Sequence, residues 1–241
     1  MRRIKVIVPV STDMWNEPVR KLMEHHKERD TEINIMNLNK GPVSLECAYD
    51  KVWAALPTVQ EAERAEQEGY NGVIIYCFAD PGLTAAKEKL QIPAVGLCEA
   101  SIHLASLLGS RFSIMAAGSP NVFENKRKRI VERLREYGFE HKCASVRPLM
   151  VAVLDLVKEH EKKATRLLSE AEKAVEEDGA DTIVLGCGGI LGVGERASEA
   201  LNVPVVVPGV AALKTCESLI QMGLSQSKRC FGIPEEKIRI P

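Results

Sequence analysis

Short apolar runs of strand length alternate along the chain with longer segments whose apolar residues recur at helical spacing. Residues 4–8 (IKVIV), 72–77 (GVIIYC), 94–97, 112–116 (FSIMA), 182–185 (TIVL) and 203–207 (VPVVV) predict strands bounded by Gly, Pro or Asn. Being apolar on both faces, they read as parallel strands covered by helices. Between them, residues 17–27, 49–67, 84–89, 102–108, 122–137, 154–177 and 211–222 predict helices. Many of these segments close on glycine, at Gly69, Gly109, Gly138, Gly179 and Gly223, which suits a left-handed C-terminal cap. Repeated strand-helix alternation predicts an α/β fold with right-handed crossovers.

An internal repeat refines that prediction. Residues 4–8 align with 112–116 at an offset of 108, Gly69 with Gly179 and Cys77 with Cys187 at 110, and Pro93 with Pro204 at 111. Each half reads as an opening strand, helices, a helix closing on glycine, and a buried strand running into CFADPG (77–82) or CGGILG (187–192). A short helix and a Pro-initiated strand follow. Two pseudo-symmetric lobes with parallel sheets account for the repeat; one continuous sheet with coincidental spacing is the competing arrangement.

Composition narrows the class without naming a function. With 241 residues, the chain accommodates one large domain or two of about 100 to 120 residues. Thirty-two basic side chains balance 33 acidic ones, which argues against a nucleic-acid partner. The one basic cluster, Lys126-Arg127-Lys128-Arg129, reads as a solvated helix face. No apolar run reaches the roughly 18 residues of a membrane helix, and the N-terminus lacks a signal-peptide pattern, so the expected location is cytoplasmic.

Seven cysteines, at 47, 77, 98, 143, 187, 216 and 230, form neither a disulfide framework nor a metal pattern with the five histidines. In open parallel sheets, ligands gather at the carboxyl ends of strands. Residues 9–12, 77–82, 116–119 and 187–189 occupy such ends. A strand-end cysteine alone reads as a small buried hydrophobe. The matched pair Cys77 and Cys187 reads differently, because two thiols facing each other across a cleft suit a two-base racemase: one removes a proton from a stereocentre and the other returns one to the opposite face.

Asp80-Pro81 resembles an N-cap and first helical residue that would aim free amides toward Cys77, and Gly188-Gly189 permits a similar anion-binding concavity after Cys187. Cys143, Cys216 and Cys230 read as structural or incidental, whereas Cys47 and Cys98 fall near motif-like stretches. Ser11, Thr12 and Ser119 offer hydroxyls to a ligand, or cap turns and helices. Gly192-Val193-Gly194 lacks the rest of a dinucleotide fingerprint.

Five stretches in order, 41–50 (GPVSLECAYD), 77–83 (CFADPGL), 96–101 (GLCEAS), 107–113 (LLGSRFS) and 179–190 (GADTIVLGCGGI), resemble the Asp/Glu/hydantoin racemase superfamily, closest to its hydantoin and allantoin racemase branch. The resemblance implies two pseudo-symmetric Rossmann-like lobes with the active site in the inter-lobe cleft. Residues 1–100 plus 208–241 would form the first lobe, with the C-terminal helix returning to it, and 101–207 the second. It implies cofactor-independent 1,1-proton transfer at a carbon alpha to a carbonyl, a small-molecule substrate, no metal, and a homo-oligomer.

Cys77 and Cys187 match the family's catalytic cysteines. Substrate contacts are expected from Pro9, Val10, Ser11, Thr12, Phe78, Ala79, Ala117, Gly118, Ser119, Gly188 and Gly189.

Two departures bear on the substrate. The family's Asn-Pro-Asn followed by Ser or Thr is here Val8-Pro9-Val10-Ser11-Thr12, and its Thr-Thr pair is Ala116-Ala117 before Gly118 and Ser119. Cys47 stands where the family often has Gly. Lost donors leave ligand carbonyls unmatched at about 1 to 3 kcal/mol each, which points to a changed or more apolar substrate. Two other readings of the scaffold stand beside racemisation: a cysteine enzyme like maleate isomerase or arylmalonate decarboxylase, and a non-catalytic binding protein.

Overall fold

The computed structural model describes residues 1–158, 160–235 and 237. The first sheet comprises β1 (Arg2–Val8), β2 (Thr31–Asn37), β3 (Gly72–Ile75) and β4 (Ala94–Gly96), in the order β2-β1-β3-β4. The second comprises β5 (Phe112–Ala116), β6 (Cys143–Pro148), β7 (Thr182–Leu185) and β8 (Val205–Val206), in the order β6-β5-β7-β8. Every pairing is parallel. The second sheet repeats the first strand for strand, so the chain forms two lobes and not one continuous sheet.

The repeat extends to single hydrogen bonds. The Tyr76 amide donates to the Ile7 carbonyl and the Gly186 amide to the Met115 carbonyl, both at 2.8 Å. Val73 and Ile183 donate to the prolines that open the next strands, Pro93 and Pro204, both at 2.9 Å.

Eight helices cover the sheets among the described residues: α1 (Asn16–His26), α2 (Ala48–Gln67), α3 (Leu83–Lys89), α4 (Leu97–Leu108), α5 (Pro120–Glu136), α6 (His160–Glu176), α7 (Gly194–Leu201) and α8 (Pro208–Gln221). None is long and apolar enough to cross a membrane. Strands β3, β5 and β7 are buried along their whole length, as expected for runs apolar on both faces. Each fully buried Ile, Val or Leu contributes about 1.5–3 kcal/mol. One buried cluster joins Ile4, Tyr76 and Phe78 of the first lobe to Ile114, Leu185 and Ile190 of the second.

The connection between lobes is reciprocal. Helix α4 leaves β4 and packs on β7 and β8, while α8 leaves β8 and packs on α1, β3 and β4. The two helices also pack against each other.

Several expected boundaries move. Strands β2 and β6 have no apolar run because each is a sheet edge with only alternate or isolated buried residues. Helix α4 begins at Leu97 and not at residue 102, and its N-terminus is capped from another loop: the Asp80 carboxylate accepts the Cys98 and Glu99 amides at 3.1 and 3.0 Å. Asp80 therefore does not cap α3, which starts two residues beyond Pro81, after Gly82 in the left-handed conformation.

Gly69, Gly138, Gly179 and Gly223 have the expected positive φ, whereas Gly109 is extended. Gly109 is required for clearance, because a Cβ there would meet Asp181 Oδ1 at 2.0 Å. The expected helix over 154–177 divides into a 3-10 turn at Val153–Asp155 and α6. Position 159 in that segment, and positions 236 and 238–241 of the expected first lobe, lie outside the described residues.

Candidate active site

Strands β3 and β7 end at Ile75 and Leu185, and each is followed two residues later by a cysteine. In the first loop the Ala79 amide donates to the Cys77 sulfur at 3.4 Å, and the Asp80 amide to the Cys77 carbonyl at 3.0 Å. In the second, Gly189 donates to the Cys187 sulfur at 3.5 Å and Ile190 to the Cys187 carbonyl at 3.2 Å. Both thiols thus sit in the same turn, each facing the amide two residues on. Such an amide favours the thiolate over the neutral thiol.

Each of these two peptides is also held at its carbonyl end from across the molecule. Tyr76, leaving β3, donates its hydroxyl to the Gly188 carbonyl at 3.2 Å, and Gly188 C=O shares a peptide plane with Gly189 N–H. Arg133, on α5 against β5 and β6, donates to the Phe78 carbonyl at 2.8 Å, and Phe78 C=O shares a plane with Ala79 N–H. Glycine at 188 and 189 is a matter of clearance. A Cβ at 188 would lie 2.8 Å from Tyr76 Cε1, and one at 189 would lie 2.7 Å from Trp15 Cζ3.

Both loops open on one cavity of about 100 Å³. Of the residues expected from sequence, Cys77, Cys187, Pro9, Val10, Phe78, Ala79, Gly188 and Gly189 line it. Ser11, Thr12, Ala117, Gly118 and Ser119 lie outside the lining, and most are engaged elsewhere. The Ser11 amide donates to Pro42, the Thr12 hydroxyl accepts from Met14, and the Gly118 amide donates to Val151. Ser119 is the N-cap position of α5, its carbonyl accepting the Val122 amide, and Ala117 is fully buried in the core.

Burial sets the electrostatics. Enclosure by protein, with one side open to the cavity, pushes the Cys77 thiol up to about 11, against the lowering effect of the Ala79 amide. Asp80, buried behind this loop, is raised to about 6 by desolvation; the Arg133 guanidinium, the α4 amides and the Tyr137 hydroxyl oppose the rise. Burial also lowers the Lys51 ammonium. Behind Cys187, the wholly buried Lys163 donates to the carbonyls of Leu156 and Leu191 at 3.2 and 3.0 Å, and burial lowers it as well.

The sequence reading missed much of the cavity wall: Trp15, Ser44, Glu46, Lys51, Tyr76, Lys126, Arg129, Ile130 and Arg133 among others. The basic cluster is only partly a solvated face. Arg127 pairs with Glu124 at 3.0 Å, but Lys126 and Arg129 turn to the cavity. The signal was the spacing of 126, 129, 130 and 133, which lie on one side of a helix.

The remaining cysteines divide by environment. Cys47 borders the cavity and caps α2, its sulfur accepting the Asp50 amide at 3.4 Å while the Asp50 carboxylate accepts the Cys47 amide at 3.0 Å. Cys98 and Cys216 are buried, Cys143 half-buried and Cys230 exposed. Among the described residues, His25, His26 and Glu195 bring potential metal-ligand atoms within 4.8 Å of one another where α1 meets α7, away from the cavity.

Two parallel-sheet lobes, each presenting a strand-end thiol to a shared cavity, define the class of molecule. The chain belongs to the Asp/Glu/hydantoin racemase family, whose model matches residues 4–216. A hydantoin racemase from Paenarthrobacter aurescens is 35% identical over 237 residues, covering 98% of each chain. The solved allantoin racemase of Klebsiella pneumoniae is 31% identical, with a TM-score of 0.92 over 100% of this chain and 97% of that one. A liganded variant of arylmalonate decarboxylase shares the fold alone, at 18% identity and a TM-score of 0.69, over 92% of this chain and 94% of that one.

Proposed function

We propose that the protein is a cofactor-independent racemase or epimerase acting at a carbon alpha to a carbonyl, with a hydantoin-like or amino-acid-derived substrate held between Cys77 and Cys187. The observation that carries this reading is the matched pair of thiols, in identical turns from opposite lobes, lining one cavity. One cysteine, as thiolate, takes the proton from the stereocentre, and the electron pair moves onto the adjacent carbonyl to give an enolate. The other, as thiol, donates its proton to the opposite face. Substrate is inverted, the two sulfurs exchange protonation states, and no electron is gained or lost.

Stabilisation of the thiolate falls to the Ala79 and Gly189 amides, and Tyr76 and Arg133 fix the peptides that carry them. The substrate-binding role extends to Pro9, Val10, Phe78 and Gly188 on the same walls. The relatives named as hydantoin and allantoin racemases support the choice of ring or ureido substrates.

The test is racemisation of 5-substituted hydantoins in deuterated water. The wild type incorporates deuterium at the stereocentre, while Cys77→Ser and Cys187→Ser each lose racemisation by on the order of 10²–10⁴-fold. Full activity in both variants contradicts the mechanism. Loss in only one points to a single proton donor, as in decarboxylation, and a covalent adduct on Cys77 points to an isomerase that uses cysteine as a nucleophile.

A further inference from the structure

We infer that the substrate of this site carries an anionic group, a carboxylate, on the substituent of its reacting carbon; this rests on the racemase reading and names its substrate class. Four cationic side chains line the cavity. Lys51 comes from the first turn of α2, and Lys126, Arg129 and Arg133 come from successive turns of α5. Against them the lining contains one carboxylate, Glu46, whose Oε1 already accepts the Ser44 hydroxyl at 2.9 Å.

The pairing pattern along α5 distinguishes this face from an ordinary charged surface. On other faces the arginines have carboxylate partners: Arg127 with Glu124 at 3.0 Å and Arg135 with Glu140 at 2.6 Å. On the cavity face, Arg129 and Arg133 donate to backbone carbonyls, those of Glu46 and Phe78 at 2.7 and 2.8 Å. Among the described residues, none of the four cavity cations forms a salt bridge to a carboxylate.

Asp80 acts electrostatically on Arg133 and Lys51, Glu136 on Lys51 and Asp50 on Arg129, but none of these carboxylates lines the cavity. A cleft whose lining is dominated by one sign of charge concentrates ligands of the other. Partly desolvated cations strengthen the interaction, because a charge-assisted hydrogen bond gains as water is excluded. Lys51 is one such group, half-buried with its ammonium form disfavoured by desolvation.

The geometry also sorts the two ends of a ligand. Arg133 bonds Phe78 of the Cys77 loop and Lys51 acts electrostatically on Cys77, whereas around Cys187 the lining is Gly186, Gly188 and Gly189, with Trp15 against Gly189. The compact, neutral ring fits there beside the thiols, and the charged substituent extends toward α2 and α5. This refines the changed or more apolar substrate suggested by the lost Asn and Thr residues: the cationic groups that line this site lie on α2 and α5.

The experiment compares 5-(2-carboxyethyl)hydantoin with its near-isosteric neutral amide, 5-(2-carbamoylethyl)hydantoin. Exchange of the C5 proton is followed in deuterated water with the wild type. Binding is measured by calorimetry with the Cys77→Ser/Cys187→Ser protein, where turnover plays no part. The expected result is at least a tenfold lower Kd and higher kcat/KM for the acid, with that preference falling at least tenfold in Arg129→Gln and Lys51→Met and shrinking as salt is raised.

Equal handling of acid and amide, or preference for the amide, overturns the anionic substituent while exchange of either compound leaves the racemase reading standing. Selective binding of the acid without exchange in the wild type upholds the anion site and overturns the racemase reading for hydantoins. Neither binding nor exchange overturns both.

Discussion

The Tyr76 hydroxyl reaches across the lobe boundary to the Gly188 carbonyl at 3.2 Å, and the same peptide presents the Gly189 N–H to the Cys187 sulfur. One lobe thereby sets the hydrogen-bond environment of the other lobe's thiol. Tyr76→Phe removes the bond while keeping the ring that packs on Gly188. The expected loss is about 0.5–1.5 kcal/mol of stability and a roughly two- to tenfold lower kcat, with little change in KM. The split between kcat and KM separates this role from simple packing: kcat falls with KM unchanged, whereas a merely loosened pocket raises KM as well.

Arg133 plays the matching part for Cys77, through the Phe78 carbonyl at 2.8 Å. Arg133→Met leaves that buried carbonyl without its charged donor, an expected cost of about 1.5–3 kcal/mol in urea unfolding. Arg133→Lys restores a cation and recovers part of the activity; if methionine and lysine behave alike, the hydrogen bond is not what matters at this position.

Cys77 is pushed up to about 11 by its burial, so at neutral pH it rests as the protonated partner. A thiol titrating there is ionised in roughly one molecule in ten thousand at pH 7. Because the thiolate is the nucleophile, iodoacetamide labelling of Cys77, read by peptide mass spectrometry, is expected to rise about tenfold per pH unit until pH approaches 11. Rapid, pH-independent labelling at pH 7 is inconsistent with a buried, neutral Cys77.

Asp80 holds the N-terminus of α4 and the Tyr137 hydroxyl together directly behind the Cys77 loop. Asp80→Ala orphans three donors, each worth about 1–3 kcal/mol when left unsatisfied in a buried site. A fall in the urea midpoint corresponding to several kcal/mol is expected, with a smaller fall for Asp80→Asn, which keeps one accepting oxygen.

The parts of the fold legible in the sequence were those fixed by local pattern. The central strands are continuous apolar runs, and the offset between Cys77 and Cys187 follows from the duplication of a whole strand-turn unit. Strands β2 and β6 escaped because an edge strand needs only part of one face buried, and Glu32, Asn34 and Arg147 interrupt any run.

The site was half legible for a related reason. Strand-end loops can be located from chain order, so Cys77, Phe78, Cys187 and the glycines were found. The other wall is built by tertiary approach: Lys51 and Arg133 reach the cavity from helices whose amphipathic pattern reports which face is apolar, but not what the cationic flank confronts. Asp80 shows the same limit, since its capping partner is a helix that begins 17 residues later in the chain.

The most direct test of the two-thiol account is enantiomer-resolved exchange. Each pure enantiomer of a racemised hydantoin is incubated in deuterated water with Cys77→Ser or Cys187→Ser, and deuterium at C5 is followed alongside optical rotation. The account predicts that neither variant racemises, and that any residual exchange is confined to one enantiomer in Cys77→Ser and to the opposite enantiomer in Cys187→Ser, because each retains a base on one face only. Exchange of the same enantiomer by both variants, or undiminished racemisation by either, would contradict it.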